Sequence, residues 1–137
     1  MDSEPVLPSA ITFSDEKIRD QETGKLTLVG IFHCIKTSKF PFTSAAFYAT
    51  AFVTNIKGRI KQLPVSMNIE DSTGNVIASA TGHVGGSGII APGEVAEISF
   101  PIPPIIFNAA GHYKAVVLVN GEASGSRGFN VTGTAPL

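Results

Sequence analysis

The chain has no tryptophan, a single cysteine and two methionines among its 137 residues. Each shortage excludes something. Cys34 has no partner for an internal disulfide, so no disulfide framework holds the fold, and the lone thiol fits a reducing, cytoplasmic setting. Without Trp, a carbohydrate platform would rest on the weaker stackers Tyr48, Phe40 and Phe42. Charge is scarce as well, at 15% of residues against roughly 25% in ordinary domains. A formal net charge of −1 argues against a strongly basic nucleic-acid binder. No apolar run approaches the roughly eighteen residues of a membrane-spanning helix. The opening Met1-Asp2-Ser3-Glu4-Pro5 lacks the basic start and apolar stretch of a secretion signal. The helix-favouring Leu, Glu, Lys, Met and Gln are few, with Leu at only six, which argues against helices.

What is abundant is β-branched. Val and Ile total 25 and Thr adds 11. Such side chains lose rotamer freedom in a helix and pack well on a pleated sheet. Fourteen Gly and nine Pro punctuate them. The composition predicts an all-β chain with one core, organised as a flexible leader over 1–8, a β domain over 9–132 and a tail over 133–137.

The pattern along the chain sharpens this. Strand signal begins at Ile11 and runs to Ile18, followed by the turn Asp20-Gln21-Glu22-Thr23-Gly24. Leu26 to Phe32 is apolar on both faces, which predicts a central strand. Pro41 marks a connection from Ser38 to Phe42. Ser44 to Thr54 reads as a long strand, with Phe47, Ala49, Ala51 and Val53 on one face. Val65, Met67 and Ile69 alternate with polar residues, then Asp71-Ser72-Thr73-Gly74-Asn75 predicts a hairpin back through Val76 to Thr81. Gly82 to Gly93 reads as a flexible loop. Val95 to Ile102 is another strand, and Tyr113 to Val119 another. Asn120-Gly121 is a strong type I′ hairpin signal. A last strand covers Glu122 to Thr132, with Phe129 and Val131 inward. The expectation is an antiparallel two-sheet sandwich of about seven to nine strands.

Two segments carry a resemblance. Ile18 to Phe32, with its Asp20-Gln21-Glu22-Thr23-Gly24-Lys25 turn, resembles a segment of a bacterial family of uncharacterised, immunoglobulin-like β-sandwich proteins. Gly111-His112-Tyr113 through Asn120-Gly121-Glu122 to Phe129-Asn130-Val131 is similar to its closing hairpin. The resemblance implies an immunoglobulin-like sandwich in which Tyr113 forms a tyrosine corner, its hydroxyl tying a loop to the sheet. It implies no activity, because a sandwich hosts unrelated functions.

The residues that could carry chemistry do not converge in sequence. His33 and Cys34 are adjacent, so on a strand they point to opposite faces and cannot share a metal. Copper chemistry would need two His and an axial ligand converging on the Cys. His112 could act as a general base, but no nucleophile motif accompanies it. Gly86-Ser87-Gly88 lacks the strand-to-helix context of a nucleophile elbow. Gly82 to Gly88 lacks the Lys-Ser/Thr and helix of a phosphate loop. Asp15-Glu16 and Glu70-Asp71 are neighbours that diverge, unlike a glycosidase pair, and read as solvated acids.

Charge is unevenly placed. No acid occurs from residue 23 to residue 69, an interval holding Lys25, Lys36, Lys39, Lys57, Arg59 and Lys61. Lys36, Lys39, Lys57, Arg59 and Lys61 are therefore candidate partner-binding residues, able to attract an acidic surface if their loops share one end of the domain. No aromatic interleaves residues 55–62, which argues against nucleic acid. The sequence predicts a non-enzymatic interaction or structural module, self-associating or bound to a protein partner, with no cofactor, no metal and no membrane. A small-ligand or carbohydrate-binding module is the alternative.

Overall fold

The computed structural model describes residues 10–53, 58–59, 64–84, 89–90 and 96–133. The leader 1–8, the Gly85-Gly86-Ser87-Gly88 stretch, Pro92-Gly93 and residues 134–137 of the tail lie outside the described residues. Among those described there are strands and no α-helix.

Ten strands make two five-stranded sheets. The first runs in the order β2 (Leu26–Phe32), β1 (Ile11–Arg19), β5 (Phe47–Val53), β11 (Ala96–Ile102), β9 (His83–Val84). The second runs β3 (Cys34–Thr37), β14 (Glu122–Gly133), β13 (Gly111–Val119), β7 (Val65–Glu70), β8 (Val76–Thr81). Two short ladders accompany them: β4 (Phe42–Thr43) with β12 (Ile106–Phe107), and β6 (Gly58–Arg59) with β10 (Ile89–Ile90). Neighbours pair antiparallel except β3, which runs parallel to β14 from Cys34↔Asn130 to Thr37↔Gly133.

Alternation puts one face of each sheet into a shared core. Ile11 and Phe13, Ala49 and Ala51, and Ile98, Phe100 and Ile102 come from the first sheet. Val65, Met67 and Ile69, Ala115 and Val117, and Phe129 and Val131 come from the second. Phe13 meets Phe129 edge-on at 5.3 Å between ring centroids, joining the two sheets. The aromatic row extends one way to Phe107 and Tyr113 and the other way to Phe32 and Phe47. Small Ala49 and Ala51 leave room for these rings, an alternation of large and small that close packing requires.

The turns form as their chemistry dictates. Asp20 Oδ1 accepts the backbone N–H groups of Glu22 and Thr23, and Gly24 takes φ of 72°. Asp71 Oδ1 accepts from the Thr73 hydroxyl and from the N–H groups of Thr73 and Asn75, with Gly74 at φ 89°. These donors hold both carboxyls below their ordinary value. For Asp20 the Thr23 N–H leads, and for Asp71 the Thr73 hydroxyl does. Asn120 and Gly121 sit at φ 52° and 81°, the left-handed pair of a type I′ hairpin. The Tyr113 hydroxyl donates to the Ala109 carbonyl at 2.7 Å, tying the preceding loop to β13.

Three sequence expectations are corrected. Leu26 to Phe32 is not central: β2 is the outer edge of its sheet, because at His33 the chain crosses to the other sheet and begins β3. Its outer face, Thr27, Val29 and Ile31, is therefore exposed, while Leu26, Leu28 and Phe32 are half-buried. Ser44 to Ala46 precedes the strand that starts at Phe47; Ser44 instead exchanges hydrogen bonds with Ile105, its N–H giving to the carbonyl and its hydroxyl accepting the N–H. The stretch from Gly82 is not wholly loop. Gly82 donates to the Val65 carbonyl, and a Cβ there would lie 2.8 Å from Ile98 and Phe100. His83–Val84 then pairs with β11, and Ile89–Ile90 with β6.

Candidate functional site

The crossover at His33 creates the most distinctive surface. β2 and β3 lie at corresponding edges of the two sheets and are joined through one residue. Behind them, the connection leading to Phe47 is fixed by the Ser44–Ile105 hydrogen bonds and the β4–β12 ladder. Between these elements lies a solvent-open cleft of about 310 Å³. Phe32, Phe42 and Phe47 supply aromatic wall, Ile31 and Ile35 aliphatic wall, and Cys34 a free exposed thiol. Phe32 and Phe47 also end the aromatic row, so the core opens directly into the cleft.

Asp15 lines the same cleft and is its one charged lining residue. Its place depends on Gly30, which sits opposite on β2 at φ 71°. A Cβ on Gly30 would fall 2.4 Å from Asp15 Oδ2. The glycine thus leaves space for a carboxylate against the strand backbone, the close approach that an isolated Gly in a strand signals. The sequence marks Asp15-Glu16 as a solvated pair; the link from Asp15 to Gly30 and the cleft emerges only from strand register.

Beside the crossover, Arg127 of β14 holds the two sheets together. Its guanidinium lies over the Phe13 ring at 5.2 Å, donates to the Ile11 carbonyl and donates to His33 Nδ1 at 2.7 Å. His33 accepts at that nitrogen, so its ring proton is on Nε2. Nothing in the sequence around Arg127 marks it for this role, because its partners lie about a hundred residues away in β1 and at the crossover.

On the outer face of the first sheet, Lys17 Nζ donates to Ser99 Oγ at 2.7 Å and lies 5.5 Å from the Tyr48 ring centre. Arg19 pairs with Glu97, reaching across β5. A Ser–Lys pair invites a nucleophilic reading. Here the nitrogen donates to the hydroxyl and also rests against the Tyr48 ring, a cation–aromatic contact. Tyr48 is thereby half-buried rather than an open stacking platform, and Phe40 and Phe42 are half-buried too. His112 lies within β13, bonded through Nδ1 to Asn130 Oδ1 at 3.0 Å and packed over Gly128, where a Cβ would meet its ring at 2.6 Å. It serves a cross-strand contact.

Of the basic candidates, Lys36 is exposed on β3 and Lys39 is exposed just after it. Arg59 lies in β6, opposite Ile89 of β10. Lys57 and Lys61 lie outside the described residues.

Residues 9–132 match DUF6941, described as a family of unknown function. The chain belongs to this family. Curated proteins contain no match to it. The DUF6941 match spans the strands and the crossover cleft together. Among its described residues, no helix is long and apolar enough to cross a membrane.

Proposed function

We propose that this DUF6941 chain is an immunoglobulin-like sandwich that works as a non-enzymatic interaction module, associating with a second copy of itself through the edge of β2. The fold reading is supported by strand order. Taking β1, β5, β11 and β9 as one sheet and β14, β13, β7 and β8 as the other follows the A-B-E-D and G-F-C-C′ arrangement, and Tyr113 takes the tyrosine-corner role.

The observation that carries the functional reading is the edge itself. β2 offers seven uncharged residues along a side that pairs with no strand among the described residues, with Val29 42% and Ile31 53% exposed and Ile18 of neighbouring β1 55% exposed. Natural sheets guard such edges with charge or brevity. β3 does so, being four residues long with an exposed Lys36. β8 is uncharged too, but apart from Val76 and Ile77 it offers only Ala, Ser and Thr. A second copy suits β2 because the segment carries no charge to oppose its own. Antiparallel pairing centred on Val29 sets Leu26 against Phe32 and Thr27 against Ile31 of the second copy, and buries no charge.

The test is a covalent trap. In a Cys34→Ser background, Val29→Cys places a thiol on the proposed two-fold axis, within disulfide reach of its copy. Mild oxidation is expected to give a disulfide-linked dimer from Val29→Cys and little from Asn120→Cys, at the far hairpin turn. Equal yields from both would contradict the pairing.

A further inference from the structure

We propose that the cleft between β2 and β3 binds a small organic cation: an ammonium group carried on an apolar or aromatic body. The polar and apolar requirements come from different residues. Asp15 is the cleft's one charged lining group, and its carboxylate is exposed to solvent, open to an incoming ligand. The nearest basic side chain along β1 does not neutralise it, because Lys17 is held by Ser99 and Tyr48. Gly30 supplies a built seat, since any Cβ there would strike the carboxylate. A cation would pair with the Asp15 carboxylate while its apolar body packs on the aromatic wall of Phe32 and Phe42, which are half-buried at the cleft. An anion would be repelled by both. A neutral molecule would cover the carboxylate without pairing it, at a desolvation cost. The volume, about 310 Å³, is at the small end of ligand pockets and admits one ring with a short arm.

Three probes of matched shape test this by amide NMR on the intact chain: phenethylammonium, 2-phenylethanol and phenylacetate. Phenethylammonium is expected to shift the Gly30, Phe32 and Cys34 amides saturably, and to bind about tenfold more tightly than the alcohol, the magnitude of one modest charge contact. Phenylacetate is expected to be the weakest. Asp15→Asn should remove that advantage, and capping Cys34 with N-ethylmaleimide should block the cleft. Equal affinity for the three probes, no saturable shift with phenethylammonium, or an unchanged affinity in Asp15→Asn would each overturn the proposal. If Asp15→Asn does not fold, the ranking of the probes on the unmodified chain decides. The readout is separate from association through β2, because Val29 does not line the cleft and Val29→Lys is expected to leave probe binding intact.

Discussion

At the scale of single residues, the domain relies on side chains whose neighbours leave no alternative. Tyr113 is buried, and burial, with the Asp71 charge adding to it, raises its phenol above the ordinary value despite the opposing hydrogen bond to Ala109. A raised value in the folded state means stability that is intact below pH 10 and lost as pH rises through the folded value. Tyr113→Phe removes both the hydrogen bond and the titration. It should cost about 1 kcal/mol at pH 8 in urea unfolding, with the gap to the parent narrowing at pH 11. A constant gap across that range would contradict the assignment. Gly82 makes the complementary point. Its missing Cβ is what Ile98 and Phe100 occupy, so Gly82→Ala should lower stability by about 1–3 kcal/mol, the cost of overpacking a filled core. Gly74→Ala, in open space but at φ 89°, should lose through backbone strain alone, about 1 kcal/mol.

At the scale of elements, the local code was readable and the long-range one was not. Asn120-Gly121 states its own turn type, and Val65, Met67 and Ile69 declare a half-buried strand, because both signals act within a few residues. β7 and β8 accordingly run over the residues expected from sequence, Val65–Glu70 and Val76–Thr81. β2 reads as central from sequence because apolarity on both faces looks the same in a central strand and in an apolar edge strand. β3 was missed because its pairing is parallel and its partner lies almost a hundred residues away. The Asp15–Gly30 seat was hidden for a similar reason: only register places the two side by side. Arg127 is the lock on that crossover, spanning Ile11, Phe13 and His33. Lysine cannot reproduce its planar fork. Arg127→Lys should therefore cost about 1–2 kcal/mol and speed amide exchange at the start of β3 more than at the β7–β8 hairpin. Uniform acceleration would show that the lock is not local.

At the scale of the whole molecule, low charge is a property with a location. The basic middle of the sequence leaves β2 untouched, since Leu26 to Phe32 carries no charge at all, while Lys36 and Lys39 sit on and just beyond the short β3. One corresponding edge of the two sheets is thus guarded and the other open. The open edge is proposed as the interface between copies. Light scattering on a sizing column, across a hundredfold range of concentration, measures it directly for the parent and for Val29→Lys. The mass of the parent is expected to climb from one chain to two as it is concentrated, and the variant to stay at one chain with an unchanged melting profile. A parent that remains a single chain throughout, or a variant that dimerises equally, would contradict it.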